Sequence, residues 1–420
     1  MALGSPDGAM HIVWLKTELL HPIDKGGRIR TYQMLRHLKR THRITYVTLD
    51  DGTADSDARE RALEYCHRLE TVPFRTQRKR SLGFYAELLG NVVSPLPYAI
   101  AKYRVPAFTS AIRAAAKGGG ADVVVCDFLF PAVNVPDELG VPVVLFEHNV
   151  EAQIWARHAE HARGPLARVY MREQWRRMRN FERRQCARFD HVIAVSPEDA
   201  ALLKREYALN DVSAVPTGVD TDYFCASGTV PRSANELVFT GSMDWLPNED
   251  AMTWFVADVL PRIRAHVPHV RLSIVGRTPS AVVRALGDEH PNVTVTGSVP
   301  DVRPYLERGA LFVIPLRIGG GTRLKVFEAM AMGIPVVSTR VGVEGLPLHE
   351  DKEYLAADDA VTFADAVVRL LQAPPRAAAM AAAALTRVRG EFGWAEVARR
   401  FGDICARTAG KSRRLRGRVA

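Results

Sequence analysis

Residues 315–337 read PLRIGGGTRLKVFEAMAMGIPVV, and this stretch decides the fold of the C-terminal half. The apolar run ALFVIPL, from Ala310, leads into it, and the glycines are followed by a helical pattern from Thr322 and by a second apolar run, PVVST, from Pro335. A strand, a glycine turn, a helix and a strand in this order make one unit of a parallel α/β sheet. Gly333 and Pro335 are typical of the end of such a helix.

The same alternation recurs along the chain and predicts an α/β protein with two Rossmann-like domains. The apolar runs begin at His11, Arg43, Ala121, Val141 and His191 in the first half, and at Glu236, Val270, Val293, Ala310 and Pro335 in the second. Between them the sequence loses its periodicity and is rich in Pro, Gly and Asp, which predicts a linker. We predict an N-terminal domain over residues 10–215, a C-terminal domain over 216–395, and a C-terminal helix with a basic tail over 396–420.

The composition indicates a globular protein, since 47% of the 420 residues are hydrophobic and 25% are charged. The five cysteines form no CxxC pair, which argues against a disulfide framework or a structural zinc site. The sequence shows neither a secretory signal nor an apolar run long enough for a membrane helix. We therefore expect a cytoplasmic protein.

The net charge of +9 is concentrated in a few segments: RTQRKR from Arg75, the arginine-rich residues 157–188, and the tail KSRRLRGRVA. Such segments suit peripheral attachment to an anionic membrane at its inner face. A solvated helix face and a frayed tail are the alternative. Nucleic-acid binding is disfavoured because the arginines lack interleaved aromatic residues.

Residues 319–328 predict a site for a nucleoside diphosphate. Glycines let backbone amides approach a ligand, and the free N–H groups at a helix start attract phosphate, with Thr322 as a candidate cap. Arg323 and Lys325 lie in the first helical turn, where cations are unfavourable unless an anion is bound. Glu328 follows one turn later and suits the vicinal hydroxyls of a ribose. The alternative is a flexible turn with Glu328 paired on the helix surface.

Two further candidate sites lie in the first half. Gly26 and Gly27 stand between the first strand and a helix, so they lie at the carboxyl edge of the sheet, where ligands bind. The segment FEHNVE places His148 after another strand, where it could hydrogen-bond to a reacting group or transfer a proton. A plain strand-to-helix turn and a core histidine are the alternatives.

In their order along the chain, these segments resemble the retaining glycosyltransferases of family 4. The resemblance is carried by KGGRIR, EHNVE, VIAVSPEDAALL, VPTGVDTDYF, FTGSMDWLPNEDAMTWF, LSIVG, VTGSVPDVRPYL and GGGTRLKVFEAMAMGIPVVST. It implies the GT-B fold, in which two Rossmann-like domains face each other across a cleft. It also implies transfer of a sugar from a nucleotide sugar to a glycan, lipid-linked or small-molecule acceptor, with retained anomeric configuration and without a metal or other cofactor. The enzymes it resembles build bacterial exopolysaccharide or other envelope glycans.

The resemblance implies roles for the residues of the second half. The family has a motif of two glutamates separated by seven residues, the second of which contacts the ribose. Glu328 matches this second glutamate, whereas Gly320 occupies the position of the first. This departure resembles a subgroup with a GGGTRLK loop, and it leaves the transferred sugar to the backbone amides of Gly320 and Gly321. Many relatives carry an Arg and a Lys after the strand that ends at Gly241. Here Arg323 and Lys325 are the implied substitutes for the diphosphate.

The remaining implied donor contacts are spread over both halves. Arg277 would assist the diphosphate, and the main chain at Val299 would hold the nucleobase. Gly26 and Gly27 would form the loop beneath the sugar or diphosphate, and His148 matches the family's active-site histidine.

Three other functions compete with this interpretation. A two-domain epimerase or phosphorylase would use the same scaffold, and a non-catalytic protein could bind the nucleotide sugar alone. A nicotinamide-dependent dehydrogenase is disfavoured because no GxGxxG motif follows the first strand. An Asp-x-Asp like that of metal-dependent transferases lies at Asp220 and Asp222 in the linker, where we predict a turn.

Overall fold

A computed structural model describes residues 9–23, 26–75, 77, 81–118, 120–160, 162, 164–318 and 324–416. The predicted site residues Gly320, Gly321, Thr322 and Arg323 lie outside the described residues. The chain divides into two compact units, Met1–Pro216 with Val397–Ala420, and Thr217–Glu396.

The first unit is built on one parallel sheet. Its strands are β1 (His11–Lys16), β2 (Arg43–Asp50), β3 (Arg68–Pro73), β4 (Val123–Asp127), β5 (Val143–Glu147), β6 (His191–Ala194) and β7 (Val212–Ala214). Within the described ranges the sheet has seven strands in the order β3-β2-β1-β4-β5-β6-β7, and every neighbouring pair is parallel. Its central strands are runs of Val, Ile and Leu because helices cover both faces of a parallel sheet.

Helices connect these strands. They are α1 (Gly26–Leu38), α2 (Ala58–Arg61), α3 (Leu82–Asn91), α4 (Tyr98–Ala101), α5 (Pro106–Gly118), α6 (Glu151–Glu160), α7 (Pro165–Arg188) and α8 (Pro197–Tyr207), with 3-10 turns at Ala62–Glu64 and Phe130–Asn134. This half therefore contains two long helical insertions between strands, α3 to α5 and α6 with α7.

The second unit repeats the architecture with a smaller sheet. Its strands are β8 (Glu236–Thr240), β9 (Arg271–Val275), β10 (Val293–Val295), β11 (Leu311–Ile314), β12 (Val336–Ser338) and β13 (Leu355–Ala356). In the part of the chain that the structure describes, these six strands lie in the order β10-β9-β8-β11-β12-β13, again all parallel.

The helices of the second unit follow the same pattern. They are α9 (Leu246–Trp254), α10 (Leu260–His266), α11 (Ala281–Glu289), α12 (Arg303–Arg308), α13 (Leu324–Ala331), α14 (Ala360–Leu371) and α15 (Pro374–Arg387). A π-helical turn at Phe255–Val259 joins α9 to α10, a second one follows α15 at Val388–Phe392, and Val341–Val343 forms a 3-10 turn.

The last helix, α16 (Trp394–Arg416), belongs from Val397 onward to the first unit. The buried Phe401 ring lies 5.4 Å from the ring of Trp14 on β1 and 5.0 Å from that of Phe146 on β5. The C-terminal segment is therefore part of the first hydrophobic core.

The predicted fold class of two Rossmann-like α/β domains is confirmed, and all ten predicted strands are present. The sequence analysis missed β3, β7 and β13, which all lie at sheet edges. Edge strands are short or polar because this discourages pairing with other chains, and so they lack a buried apolar run. No helix within the described ranges is long and apolar enough to cross a membrane.

Replacing Phe401 tests whether the last helix stabilises the first unit. We expect Phe401→Ala to lower the free energy of unfolding of that unit by about 3 to 5 kcal/mol, because it leaves a cavity between Trp14 and Phe146. Urea unfolding of the full chain measures the change, with the exposed Leu63→Ala as control. Equal stability of the two variants would contradict the packing role of α16.

Candidate functional site

Both sheets reverse their strand order at one point, between β1 and β4 in the first unit and between β8 and β11 in the second. In doubly wound sheets, ligands bind at the carboxyl ends of the strands beside such a point, because the connecting helices there lie on opposite faces and leave a crevice. The described site residues all follow strands at this carboxyl edge: Gly26 and Gly27 after β1, His148 after β5, Gly241 after β8, Arg277 after β9, Val299 after β10, and Lys325 and Glu328 after β11.

In the first unit, Asp127 at the end of β4 organises the site. Its Oδ2 accepts hydrogen bonds from Trp14 Nε1 at 2.9 Å, Lys16 Nζ at 2.9 Å and Thr31 Oγ1 at 2.6 Å. Burial alone would raise the pKa of the Asp127 carboxyl, but the ammonium of Lys16 and the adjacent His148 hold it below its ordinary value. Asp127 is therefore an ionised carboxylate that joins β1, β4 and α1.

His148 lies against the other oxygen of this carboxylate. Its Nε2 is 2.7 Å from Asp127 Oδ1, and its ring stacks on Phe128 with the centroids 3.8 Å apart. Burial lowers the pKa of the imidazole to about 3 despite the neighbouring carboxylate, so the ring is neutral at physiological pH. Because an ionised carboxylate carries no proton, this close contact favours the proton of the neutral ring on Nε2 and leaves Nδ1 as an acceptor, although Nε2 and Oδ1 are not aligned as a hydrogen bond. Nδ1 is buried and has no hydrogen-bond partner among the described residues.

Phe128 links the glycine loop to His148. A Cβ atom built on Gly27 would lie 3.1 Å from Phe128 Cζ, so the loop approaches the ring closely. Phe128 also has a φ of 70°, an unfavourable backbone conformation for a bulky side chain, and such strain is concentrated at functional sites. Gly27 and His148 thus both lie against the Phe128 ring, whereas Gly26 begins α1 with open space around it.

The glutamates around His148 have structural roles. Glu182 accepts hydrogen bonds from the backbone N–H groups of Glu151 and Ala152 at 2.6 and 3.2 Å, and so caps the start of α6. Burial, together with the nearby Glu182 and Glu151, raises the pKa of Glu147 well above its ordinary value. Glu147 itself lies in the core, 2% exposed.

In the second unit, Lys325 on the first turn of α13 reaches the carboxyl end of β8. Its Nζ donates a hydrogen bond to Asn248 Oδ1 at 2.9 Å and lies 4.2 Å from the centroid of the Phe239 ring. A Cβ atom on Gly241 would lie 2.9 Å from the same Nζ. The ammonium therefore occupies the position beside β8 at which the local sequence, GSMDWLPNEDA, supplies no cation.

The loops after β8 and β9 are joined closely. Gly241 N donates to the Val275 carbonyl at 3.0 Å, and Arg277 Nε donates to Ser242 Oγ at 3.1 Å. A Cβ atom on Gly276 would lie only 1.6 Å from the Gly241 carbonyl oxygen, so only glycine permits this contact between the two backbones. Arg277 is exposed, so its guanidinium stays accessible beside Gly241 and Lys325.

Glu328 lies one helical turn beyond Lys325 and is partly buried. Burial raises the pKa of its carboxyl to about 7, while Lys325 opposes the shift. Val299 follows β10 on the same side of the sheet as Arg277 and packs against the core of the unit. In the strand order β10-β9-β8-β11, Val299 after β10 and Glu328 after β11 thus lie on either side of the two loops after β9 and β8, which hold Arg277 and Gly241.

The Asp-x-Asp sequence of the linker forms the predicted turn, since Asp220 Oδ1 accepts hydrogen bonds from Asp222 N and Tyr223 N at 3.2 and 3.0 Å. Among the described residues, no three His, Cys, Asp or Glu side chains are grouped as metal ligands.

Several residues of these sites were missed by the sequence analysis. Lys16 and Asp127 are polar residues at the ends of buried strands, and this position at the carboxyl edge is the signal that could have identified them. Asn248 and Gly276 carry no such signal. Asn248 belongs to the site because it accepts a hydrogen bond from Lys325, and Gly276 because its backbone contacts that of Gly241, and both contacts are made only in the folded chain.

Two family models match consecutive parts of the chain. Residues 25–223 match the model described as Glycosyltransferase Family 4, and residues 234–373 match that described as Glycosyl transferases group 1. The boundary between the two matches falls close to the division into units.

Individual proteins show more distant similarity. The chain is 26% identical over 251 residues to D-inositol 3-phosphate glycosyltransferase 2 of Catenulispora acidiphila, covering 54% of this chain and 58% of the relative. It is 24% identical over 220 residues to a GDP-mannose-dependent monoacylated alpha-(1-6)-phosphatidylinositol monomannoside mannosyltransferase of Corynebacterium glutamicum, covering 50% and 51%. The matched segment thus spans less than two thirds of either relative.

Among solved structures, Anabaena HepE in complex with UDP and glucose superposes with a TM-score of 0.60 at 12% identity, covering 94% of this chain and 98% of that chain. At this identity the similarity establishes the shared GT-B fold.

The burial of neutral His148 predicts a dependence of stability on pH. The unfolded chain takes up a proton on this histidine near its ordinary pKa of 6.5, whereas the folded chain does so only near 3. The free energy of unfolding should therefore fall as the pH decreases from about 6.5 towards 3. We expect His148→Gln to reduce this slope in chemical unfolding, while the exposed His158→Gln leaves it unchanged. An identical slope in both variants would refute the neutral, buried state of His148.

Proposed function

Since the chain carries a Glycosyltransferase Family 4 domain followed by a group 1 glycosyltransferase domain on a GT-B fold, we propose that it transfers a sugar from a nucleoside diphosphate sugar to an acceptor hydroxyl. The observation that carries this proposal is the Lys325 ammonium at the carboxyl end of β8. A cation held between a glycine turn and a helix start is suited to a diphosphate.

The second unit is proposed as the donor side. Lys325 is oriented by Asn248 and by the Phe239 ring, so its charge is in place before a ligand arrives. Arg277 supplies a second cation from the neighbouring loop. From the sequence alone, the remaining phosphate and sugar contacts are proposed to come from Gly320, Gly321, Thr322 and Arg323.

Glu328 and Val299 are proposed for the nucleoside. A carboxylate with a pKa of about 7 ionises readily on meeting ribose hydroxyls, because hydrogen bonds to the charged form lower its pKa again. The main chain near Val299 would meet the base. The relatives include a GDP-mannose-dependent mannosyltransferase and a protein in complex with UDP, so guanine and uracil are both candidate bases.

The first unit is proposed to contact the sugar and the acceptor. His148 Nδ1 is a buried acceptor whose counterpart Nε2 is fixed by Asp127, which suits it to receive a hydrogen bond from a sugar hydroxyl. Gly26 and Gly27 would let the start of α1 approach the sugar or diphosphate.

We further propose retention of the anomeric configuration by front-face attack. The acceptor oxygen bonds to the anomeric carbon, the bond from that carbon to the diphosphate breaks, and the acceptor proton passes to the departing diphosphate. Lys325, with Arg323 and Arg277, would stabilise the charge that develops on the leaving group. Metal independence belongs to this proposal because the cations of the protein would replace a divalent ion.

Replacing Lys325 tests the diphosphate site. We expect Lys325→Ala, and Lys325→Met with its retained methylenes, to lower turnover by about 100 to 1000-fold, because one preorganised contact to the leaving group is lost. Both should also lose the thermal stabilisation that nucleoside diphosphates give the parent protein. The exposed Lys352→Ala in the same unit is the matched control. Parent-like turnover in folded Lys325 variants would refute the assignment.

The assay also separates the competing functions. A transferase adds sugar to an acceptor and releases nucleoside diphosphate, an epimerase only isomerises the donor, and a phosphorylase needs inorganic phosphate. A non-catalytic binding protein is stabilised by the nucleotide sugar but releases no nucleoside diphosphate with any acceptor.

Removal of metal tests the proposed mechanism. We expect equal turnover with a chelator and with added Mg²⁺ or Mn²⁺, because the leaving group is stabilised by side chains and backbone amides. Measurement of nucleoside diphosphate release under both conditions checks this. Activity that is abolished by the chelator and restored by a divalent ion would overturn metal independence while leaving sugar transfer intact.

A further inference from the structure

Helix α3 and the two residues after it expose one continuous apolar face. Leu82, Tyr85, Leu89, Val92 and Val93 are 90, 51, 73, 57 and 90% exposed. At about 100° per residue, these side chains fall within an arc of about 100° on one side of the helix, since Val92 keeps helical backbone angles. Single exposed apolar residues are ordinary, but a contiguous row marks an interaction surface. These five residues are called the α3 face below.

The opposite side of α3 is attached to the unit largely by polar groups. Among its residues only Asn91 is buried. Arg177 on α7 donates hydrogen bonds to the carbonyls of Asn91 and Val92 at 2.7 Å each, and Gln174 Nε2 donates to Asn91 Oδ1 at 3.2 Å. The helix is therefore held in place while its apolar face stays directed away from the core.

Helix α7 adds positive charge and further exposed apolar side chains. Its 24 residues contain eight arginines and two glutamates. Leu166 and Val169, in its first two turns, are 85 and 68% exposed. Arg168 and Arg172 on the adjacent side are exposed, and neither has an ion-pair partner among the described residues.

We propose that the α3 face and the start of α7 form a docking surface for an anionic lipid bilayer. An apolar row flanked by cations is the arrangement by which a helix lies in the interface of a membrane, with its apolar side among the acyl chains and its cations at anionic headgroups.

The charge distribution favours a bilayer over a second copy of the chain. A symmetric dimer formed through this surface would place the same patch on both subunits, and so would bring two positively charged patches together. Like charges across an interface are unfavourable, whereas an anionic surface neutralises them. The surface is also separate from the residues proposed for the donor, so its test does not depend on sugar transfer.

Sedimentation of the full chain with lipid vesicles tests this surface. The probes are vesicles of phosphatidylcholine alone and of phosphatidylcholine mixed with phosphatidylglycerol. We expect binding to the mixed vesicles that weakens at high salt, because the electrostatic part is screened. The double variant Leu82→Gln/Leu89→Gln should bind at least about tenfold more weakly, since two exposed leucines no longer enter the apolar layer. Arg168→Gln/Arg172→Gln should weaken binding to the mixed vesicles alone.

The matched control is Leu63→Gln, which replaces an exposed leucine of the same unit outside the surface and should bind like the parent. Circular dichroism and the thermal shift with nucleoside diphosphates establish that each variant is folded. Parent-like binding by the folded leucine variant would overturn the proposal. So would an absence of vesicle binding combined with a dimer, seen by light scattering, that the leucine substitutions dissociate.

Discussion

Every site in this protein depends on one constraint, the parallel pairing of the strands in both sheets. Parallel pairing brings the carboxyl ends of all strands to one edge, and the reversal of strand order between β1 and β4, and between β8 and β11, opens that edge. Residues more than 80 positions apart in sequence, such as Gly241 and Lys325, become neighbours only because their strands are adjacent. The connecting helices then add their N-termini to the same edge.

Each unit holds a lysine at this edge in a different way, Lys16 being buried and Lys325 partly buried. In the first unit Lys16 is neutralised by Asp127, which also accepts hydrogen bonds from Trp14 and Thr31, and Lys16 donates a further hydrogen bond to Thr31 Oγ1. In the second unit Lys325 is oriented by the neutral amide of Asn248 and by an aromatic face. The ammonium of Lys16 forms a buried ion pair with Asp127, because a buried charge without a counterion is costly. Lys325 is partly buried, and its contacts with Asn248 and Phe239 hold its ammonium at the carboxyl end of β8.

The surface of the first unit shows a similar division between structure and function. Helix α7 uses Gln174 and Arg177 to hold α3, and it leaves Arg168, Arg172 and two apolar side chains exposed near its start. A helix attached through its polar side can present an apolar side to a partner without losing its place in the fold. The insertions of the first unit thus provide an interaction surface, while the sheets provide the chemistry.

The sequence by itself determined the two α/β domains, their ten apolar strands and the candidates at the carboxyl ends of those strands, because buried apolar runs and glycine turns are local signals. It did not determine the edge strands, whose polar residues give no such signal. Only the tertiary structure decided that Asp127 fixes His148, that Gly276 must be glycine, that Glu147 belongs to the core, and that the last helix packs into the first unit through Phe401. Each of these depends on a distance between residues far apart in the chain, and such a distance exists only after the chain has folded.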